Sequence, residues 1–126
     1  MRKARDFMLM FDPRSLEDML AVVATPDGAY VRQVMSYWDM AASLVVNGAI
    51  DRKMFQDANG EYLAVYGKIE PFIPQMREMF QNPNFLKNLE DVALSLPNAR
   101  QTIDSTRERI RGMIAARAKA SQGATA

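Results

Sequence analysis

Apolar residues recur every three or four positions along most of this chain, and that spacing admits little besides helices. The clearest series is Tyr62, Tyr66, Ile69, Ile73, Met76 and Phe80, with steps of 4, 3, 4, 3 and 4. An α-helix turns every 3.6 residues, so such a series falls on one face. Pro71 and Pro74 lie inside it. Each proline removes an amide donor and crowds the preceding turn. A loop would have no reason to preserve the phase, so the spacing predicts a kinked helix, or two nearly coaxial ones, across residues 61–80.

Other stripes have the same period. Leu16, Met19, Leu20 and Val23 form one, and Val31, Val34, Trp38, Ala41 and Val45 form a longer one. Phe85, Leu89, Val92 and Leu96 give a short helix, and Ile103, Ile110 and Met113 the last one. The punctuation between them is polar. Asp12-Pro13, Thr25-Pro26 and Asn82-Pro83 read as helix starts, because the polar side chain can take an orphan amide and proline at the first helical position loses none. Asp51 has Ile50 before it and Phe55 after it at staple spacing, and Asn98 with Gln101 has capping-box spacing. Asn47-Gly48 reads as a helix C-cap. Residues 1–10 fit a helix or a strand, and without a partner strand elsewhere helix is preferred. Together these signals predict an all-α fold, a single compact bundle of about six helices with a proline-kinked central helix. One domain would cover residues 1–120, and residues 121–126 would form a disordered tail.

Composition removes whole classes of chemistry. The chain has 126 residues and neither Cys nor His. A disulfide scaffold, a thiolate nucleophile, a His-dependent triad and a His-ligated zinc or di-iron site are therefore impossible. No metal and no cofactor is implied. The net charge of +1 gives the whole molecule no strong attraction to nucleic acid or anionic lipid. The most apolar stretch, residues 40–50, is interrupted by Ser43, Asn47 and Gly48 and is too short to cross a bilayer. Arg2, Lys3 and Arg5 precede an apolar run that Asp12 ends after five residues, short of a secretory core. The expected location is cytoplasmic.

The candidate constellations are modest. Glu17-Asp18 and Glu90-Asp91 are adjacent pairs, which a helix splays apart. Asp104 and Glu108 share a face but are interleaved with arginines. No enzyme is expected. Tyr37 and Trp38 could form a stacking platform, but Trp38 lies on the long stripe and reads as core, with its indole N–H bonded to a neighbouring helix. Gly67 and Gly112 would permit close helix packing. Arg32 with Asp39, and Arg77 with Glu90, are candidate ion pairs that would fix packing rather than do chemistry.

After Leu96 six basic residues meet only Asp104 and Glu108, giving +4. The apolar stripe there is narrow: Ile103, Ile110, Met113 and Ile114, with Thr106 in the seam. Two apolar positions per heptad suit a coiled-coil seam better than a core-facing helix. Ile103, Arg107, Ile110, Arg111, Met113 and Ile114 are therefore the candidate binding residues. They would meet a second copy or another protein, or else the body of the same domain through a thin strip. A chain ending at Leu96 would stay helical and lose self-association. The alternative is a basic helix acting on nucleic acid or a membrane surface, against which no aromatic residue is interleaved.

Residues 38–96 resemble a family of uncharacterised bacterial all-helical domains. The resemblance rests on Trp38 with Ala41-Ala42 and Val45-Val46, then Gly48-Ala49-Ile50-Asp51 and Phe55. Tyr66, Ile69, Pro71 and Arg77 follow, then Phe85 and Leu89-Glu90. It implies a helical fold and no activity.

Overall fold

The computed structural model describes residues 1–125, with side chains described to residue 123. Among them every regular element is helical and none is a strand. The order is α1 (Arg2–Met10), α2 (Leu16–Val23), α3 (Gly28–Val46), α4 (Arg52–Ala58), α5 (Glu61–Ile69), a 3-10 turn (Glu70–Phe72), α6 (Ile73–Met79), α7 (Lys87–Leu94) and α8 (Ala99–Thr125). The tail expected over residues 121–126 is instead the end of α8 as far as Thr125, and Ala126 lies outside the described residues.

α3 is the centre on which α1 and α7 pack, and α5 carries α8 and α7 on its other faces. Val31, Val34, Trp38 and Val45 of the long stripe are buried, joined by Met35 and Ala42. Trp38 packs edge-on against Phe55, with ring centres 6.2 Å apart, and at 6.4 Å from Tyr62. The expected indole hydrogen bond is absent among the described residues: Trp38 Nε1 and the Tyr62 hydroxyl are both buried without an acceptor or donor. Ring packing alone holds this cluster.

The stripe across residues 61–80 is divided. Tyr62, Tyr66, Ile69, Ile73 and Met76 are buried. The 3-10 turn takes Pro71 and the first turn of α6 takes Pro74, each at a position where no helical amide bond is lost. Phe80 does not join the core. It is 47% exposed and packs edge-on against Phe85 with ring centres 5.4 Å apart.

The caps separate into those that local chemistry makes and those it does not. Asp51 caps α4, its carboxylate accepting from Met54 N at 2.9 Å. At the end of α3, Gly48 adopts φ +84, Gly48 N donates to Val45 O and Ala49 N to Leu44 O. That is the paired closure of a Schellman turn, and the left-handed backbone suits glycine. Asp12 does not start α2. Ser15 does, accepting from Asp18 N at 3.1 Å. Thr25 bonds back to Val22 O, so α3 begins later, at Gly28. Asn82 opens a turn by accepting from Asn84 N. Asn98 takes a left-handed backbone, φ +53, just before α8.

Two helices are closed by side chains from elsewhere. α7 follows Leu86, which has φ +54 and no capping side chain. Its third amide, Leu89 N, instead donates to Asp39 of α3 at 3.0 Å. Asp39 therefore bonds to α7 and not to Arg32, which is exposed. At the other end of α7, Gln56 of α4 donates to Val92 O at 3.2 Å. The expected Arg77–Glu90 pair is present at 3.2 Å, with both side chains mostly buried, and Arg77 Nε also donates to Phe85 O at 2.8 Å. α1 ends on Lys68, whose ammonium donates to Met8 O and, at 3.1 Å, to Leu9 O.

Two substitutions test this arrangement. Asp39→Ala should destabilise the protein by about 1–2 kcal/mol, because it orphans the start of α7. Asp39→Asn, which keeps an acceptor, should lose clearly less, and urea melts would separate the two. A Cβ at Gly28 would sit 2.6 Å from Val23 O and 2.9 Å from Val23 Cα, both backbone atoms that cannot rotate away. Gly28→Ala should therefore lower stability by about 1–3 kcal/mol despite alanine's better helix propensity. An unchanged or raised melting temperature would contradict the close α2–α3 corner.

Candidate functional site

The narrow stripe on α8 docks onto the chain's own α5 and α7. Ile103 is fully buried, and Ile110, 8% exposed, keeps only an edge at the surface. Thr106 lies buried between them, its hydroxyl satisfied by Thr102 O at 2.7 Å. Met113 and Ile114 are half-buried, and residues 115–123 are exposed. Of the two packings the seam allows, the thin strip on the same domain is the one present. Gly67 assists the approach: a Cβ there would be 3.5 Å from Ile103 O, ordinary contact. Gly112 has open space around it and serves no close packing.

Arg107 and Arg111 anchor α8 from its flanks. Arg107 Nε donates to Gly67 O at 2.7 Å, while its other nitrogens reach Glu70 at 2.8 Å and Asp104 at 3.0 Å. Arg100 adds a two-pronged contact to Glu70 and a 3.0 Å contact to Asp104. Burial would push the Glu70 carboxyl up, but the hydrogen bonds and charge of Arg100 and Arg107 outweigh it and hold the group below the usual carboxylate range. The buried Tyr66 hydroxyl, beside Glu70, is pushed well above its ordinary value, first by burial and then by the neighbouring carboxylates. Arg111 pairs with Asp12 at 3.3 Å and Glu108 at 3.7 Å. These arginines are committed to holding the helix.

The open feature lies beside that strip. α1, α5 and the middle of α8 enclose a groove of about 730 Å³. Met8, Leu9, Ala64, Val65 and Ile110 form its apolar lining, with Arg2, Arg5, Asp6, Glu61, Lys68 and Arg109 among them. Arg5 bridges α1 to α5 through a two-pronged contact with Glu61, at 3.0 and 2.7 Å. Lys68 bridges the same two helices farther along, where its ammonium takes the last carbonyls of α1. Burial pushes the Lys68 ammonium down to about 8, against the attraction of Asp12. Below that value the nitrogen is an ammonium with no lone pair to offer a substrate, and two of its protons are taken by the carbonyls of Met8 and Leu9. Among the described residues Arg2 and Arg109 make no ion pair and no hydrogen bond of their side chains, so the groove carries two uncommitted cations.

Of the six residues singled out from sequence, Ile110 alone touches this groove. Ile103 is core, Arg107 and Arg111 are structural, and Met113 and Ile114 lie beyond the docked strip. The groove itself had one faint signal in sequence. Lys68 is the single cation of an otherwise apolar run from Tyr62 to Ile69, a place where a charge needs a partner.

Lys68 gives a pH signature. Its ordinary value is 10.5 and its folded value about 8. Between those values the unfolded chain holds a proton that the native protein has shed, so stability rises with pH across this window. The penalty is fully present below pH 8. Tyr62 acts oppositely: burial pushes it from 10 to about 12, so its contribution falls as pH rises between them. Stability should therefore climb from pH 8 and turn over near pH 10, as read by urea melts. Lys68→Met should abolish the climb and keep the turnover. A climb that persists in the variant would contradict a desolvated Lys68.

No helix among the described residues is long and apolar enough to cross a membrane. No curated protein and no solved structure matches the chain. A family described as Domain of unknown function (DUF4760) matches residues 1–96, which takes in α1 to α7 and stops before α8. That match covers the part of the chain bearing the helical resemblance and extends it to the first residue: the chain belongs to the DUF4760 family.

Proposed function

We propose that this protein is a non-enzymatic interaction module whose contact with its partner is made by the exposed second half of α8. One observation carries this. α8 runs for 27 residues, about 40 Å at 1.5 Å per residue, yet its buried residues end at Ile110. An isolated helix of the length that continues beyond Ile114 is marginal in water. A second surface laid along it would supply what its own domain does not. Met113 and Ile114, half-buried at the junction, would start that contact.

Composition and the placement of the charged groups support the same reading. The chain has no His and no Cys. Glu70 and Asp104 are held by arginines, and Lys68 by carbonyls. The partner is either a second copy or a protein with an acidic face, since Arg109, Arg117 and Lys119 face no acidic residue after Glu108. The same basic excess favours the second reading, a nucleic-acid or membrane-surface accessory role, and the absence of interleaved aromatics weighs against it.

The test removes only the exposed half. A chain ending at Ile114 keeps Ile103, Arg107 and Ile110 in place, so its melting temperature should change by only a few degrees. One ending at Leu96 would instead uncover α5 and lose much more. Light scattering of the full chain across micromolar concentrations should show a dimer, or pull-down a specific protein partner, and the Ile114 truncation should lose it. A strictly monomeric full chain that binds DNA or anionic vesicles in a salt-dependent way would establish the second reading. Association that survives the truncation would overturn the α8 assignment.

A further inference from the structure

We propose that the groove between α1, α5 and α8 is a binding site for a small amphiphilic anion, an acyl chain ending in a carboxylate. This goes beyond the interaction role of the exposed half of α8 and does not depend on it. Three observations combine. The volume, about 730 Å³, falls within the roughly 300–1,000 Å³ of small-molecule sites. A helix about 10 Å across would fill that volume in less than two turns, so a docked helix would find little purchase. The lining is mixed in the way an amphiphile requires: Met8, Leu9, Val65 and Ile110 offer apolar contact, while Arg2 and Arg109 bring guanidinium groups that pair with nothing among the described residues. The other charges along the groove are already matched or spent. Arg5 is bound to Glu61 and Lys68 to the carbonyls of α1, while Asp6 is the one acid of the lining that makes no ion pair among the described residues.

The division of labour follows from chemistry. A planar guanidinium matches a carboxylate in two-pronged fashion, and Arg109 on α8 projects from a helix already fixed by Arg107 and Ile110. The alkyl chain would lie along α1 and α5, between the Arg5–Glu61 bridge and Lys68, where it covers half-buried Leu9 and Ala64. A ligand carrying both parts gains from the groove what a plain anion or a plain alkane cannot. The basic exposed half of α8 is a poor occupant for the same reason: Arg117 and Lys119 would meet cations.

The experiment uses the full chain with dodecanoate below its micelle concentration, followed by calorimetry and amide chemical shifts. Saturable one-to-one binding is expected, with shifts gathered on Gly60, Ala64, Lys68 and Ile110. Dodecanol should bind at least about tenfold more weakly, the loss of one charge-assisted contact. Arg109→Gln, a surface change that leaves the fold intact, should weaken dodecanoate on the order of fivefold and leave dodecanol unchanged. Ala64→Phe should block both by filling the floor. The assignment is overturned by equal binding of acid and alcohol, by shifts gathered elsewhere such as the exposed Tyr37–Met40 face of α3, or by no saturable binding. An acidic helical peptide that takes the same face more tightly than dodecanoate would also overturn it, in favour of a protein occupant.

Discussion

The end of α7 that begins at Lys87 has no cap of its own, and Asp39, 50 positions away on α3, supplies one. Much of the structure follows from this kind of contact. A helix leaves four amides and four carbonyls unpaired at its ends, and a buried end must find partners. Here α1 is closed by Lys68, both ends of α7 by Asp39 and Gln56, and the carbonyl of Gly67 by Arg107. Each such bond joins two elements as well as finishing one. It specifies which helices are neighbours and at what register, information that apolar packing supplies only loosely.

The consequence for the groove is direct. Lys68 and Arg5 tie α1 to α5 along its length, so the space between these helices and α8 is held open by polar bridges rather than filled by side chains. Among the described residues the same arrangement leaves the side chains of Arg2 and Arg109 without partners. On α8 the polar anchors do the reverse. Glu70 is shared by Arg100 and Arg107, and Arg107 alone contacts three groups. Partly buried, multiply bonded charges of this kind resist being pulled apart because each would leave a partner unsatisfied. α8 is therefore firmly seated up to Arg111, whereas residues 115–123 are exposed and Arg117 reaches Met10 Sδ at 3.9 Å.

The family boundary falls before both parts of α8. The match ends at residue 96, whereas Ile103 of α8 is wholly buried against the matched part. α8 is thus outside the family's shared stretch and yet part of this protein's core. Its dual character, half fastener and half extension, is what makes it the proposed point of contact with a partner.

Helix type and core membership were legible in the residues themselves. The 3.6 period places Val31, Val34, Trp38, Ile69 and Leu89 on one face each, and burial of a face is the dominant force on such a segment. Local closures were legible too, as with Asp51 at α4 and Gly48 after α3, because donor and acceptor lie within a few residues. The tertiary structure decided what periodicity cannot encode. Phe80 leaves the stripe because α6 has already ended at Met79, Asp12 serves Arg111 instead of a cap, and Asp39 serves a helix 50 residues downstream. The α8 stripe was read correctly as narrow, but whether it met another copy or its own α5 depended on where Gly67 and Glu70 come to lie. Of the groove the residues showed only the lone cation Lys68 in an apolar run, since the groove itself is a space between three helices far apart in the chain. A sequence records which surfaces must be buried, and only the folded chain determines which surfaces are left to face one another.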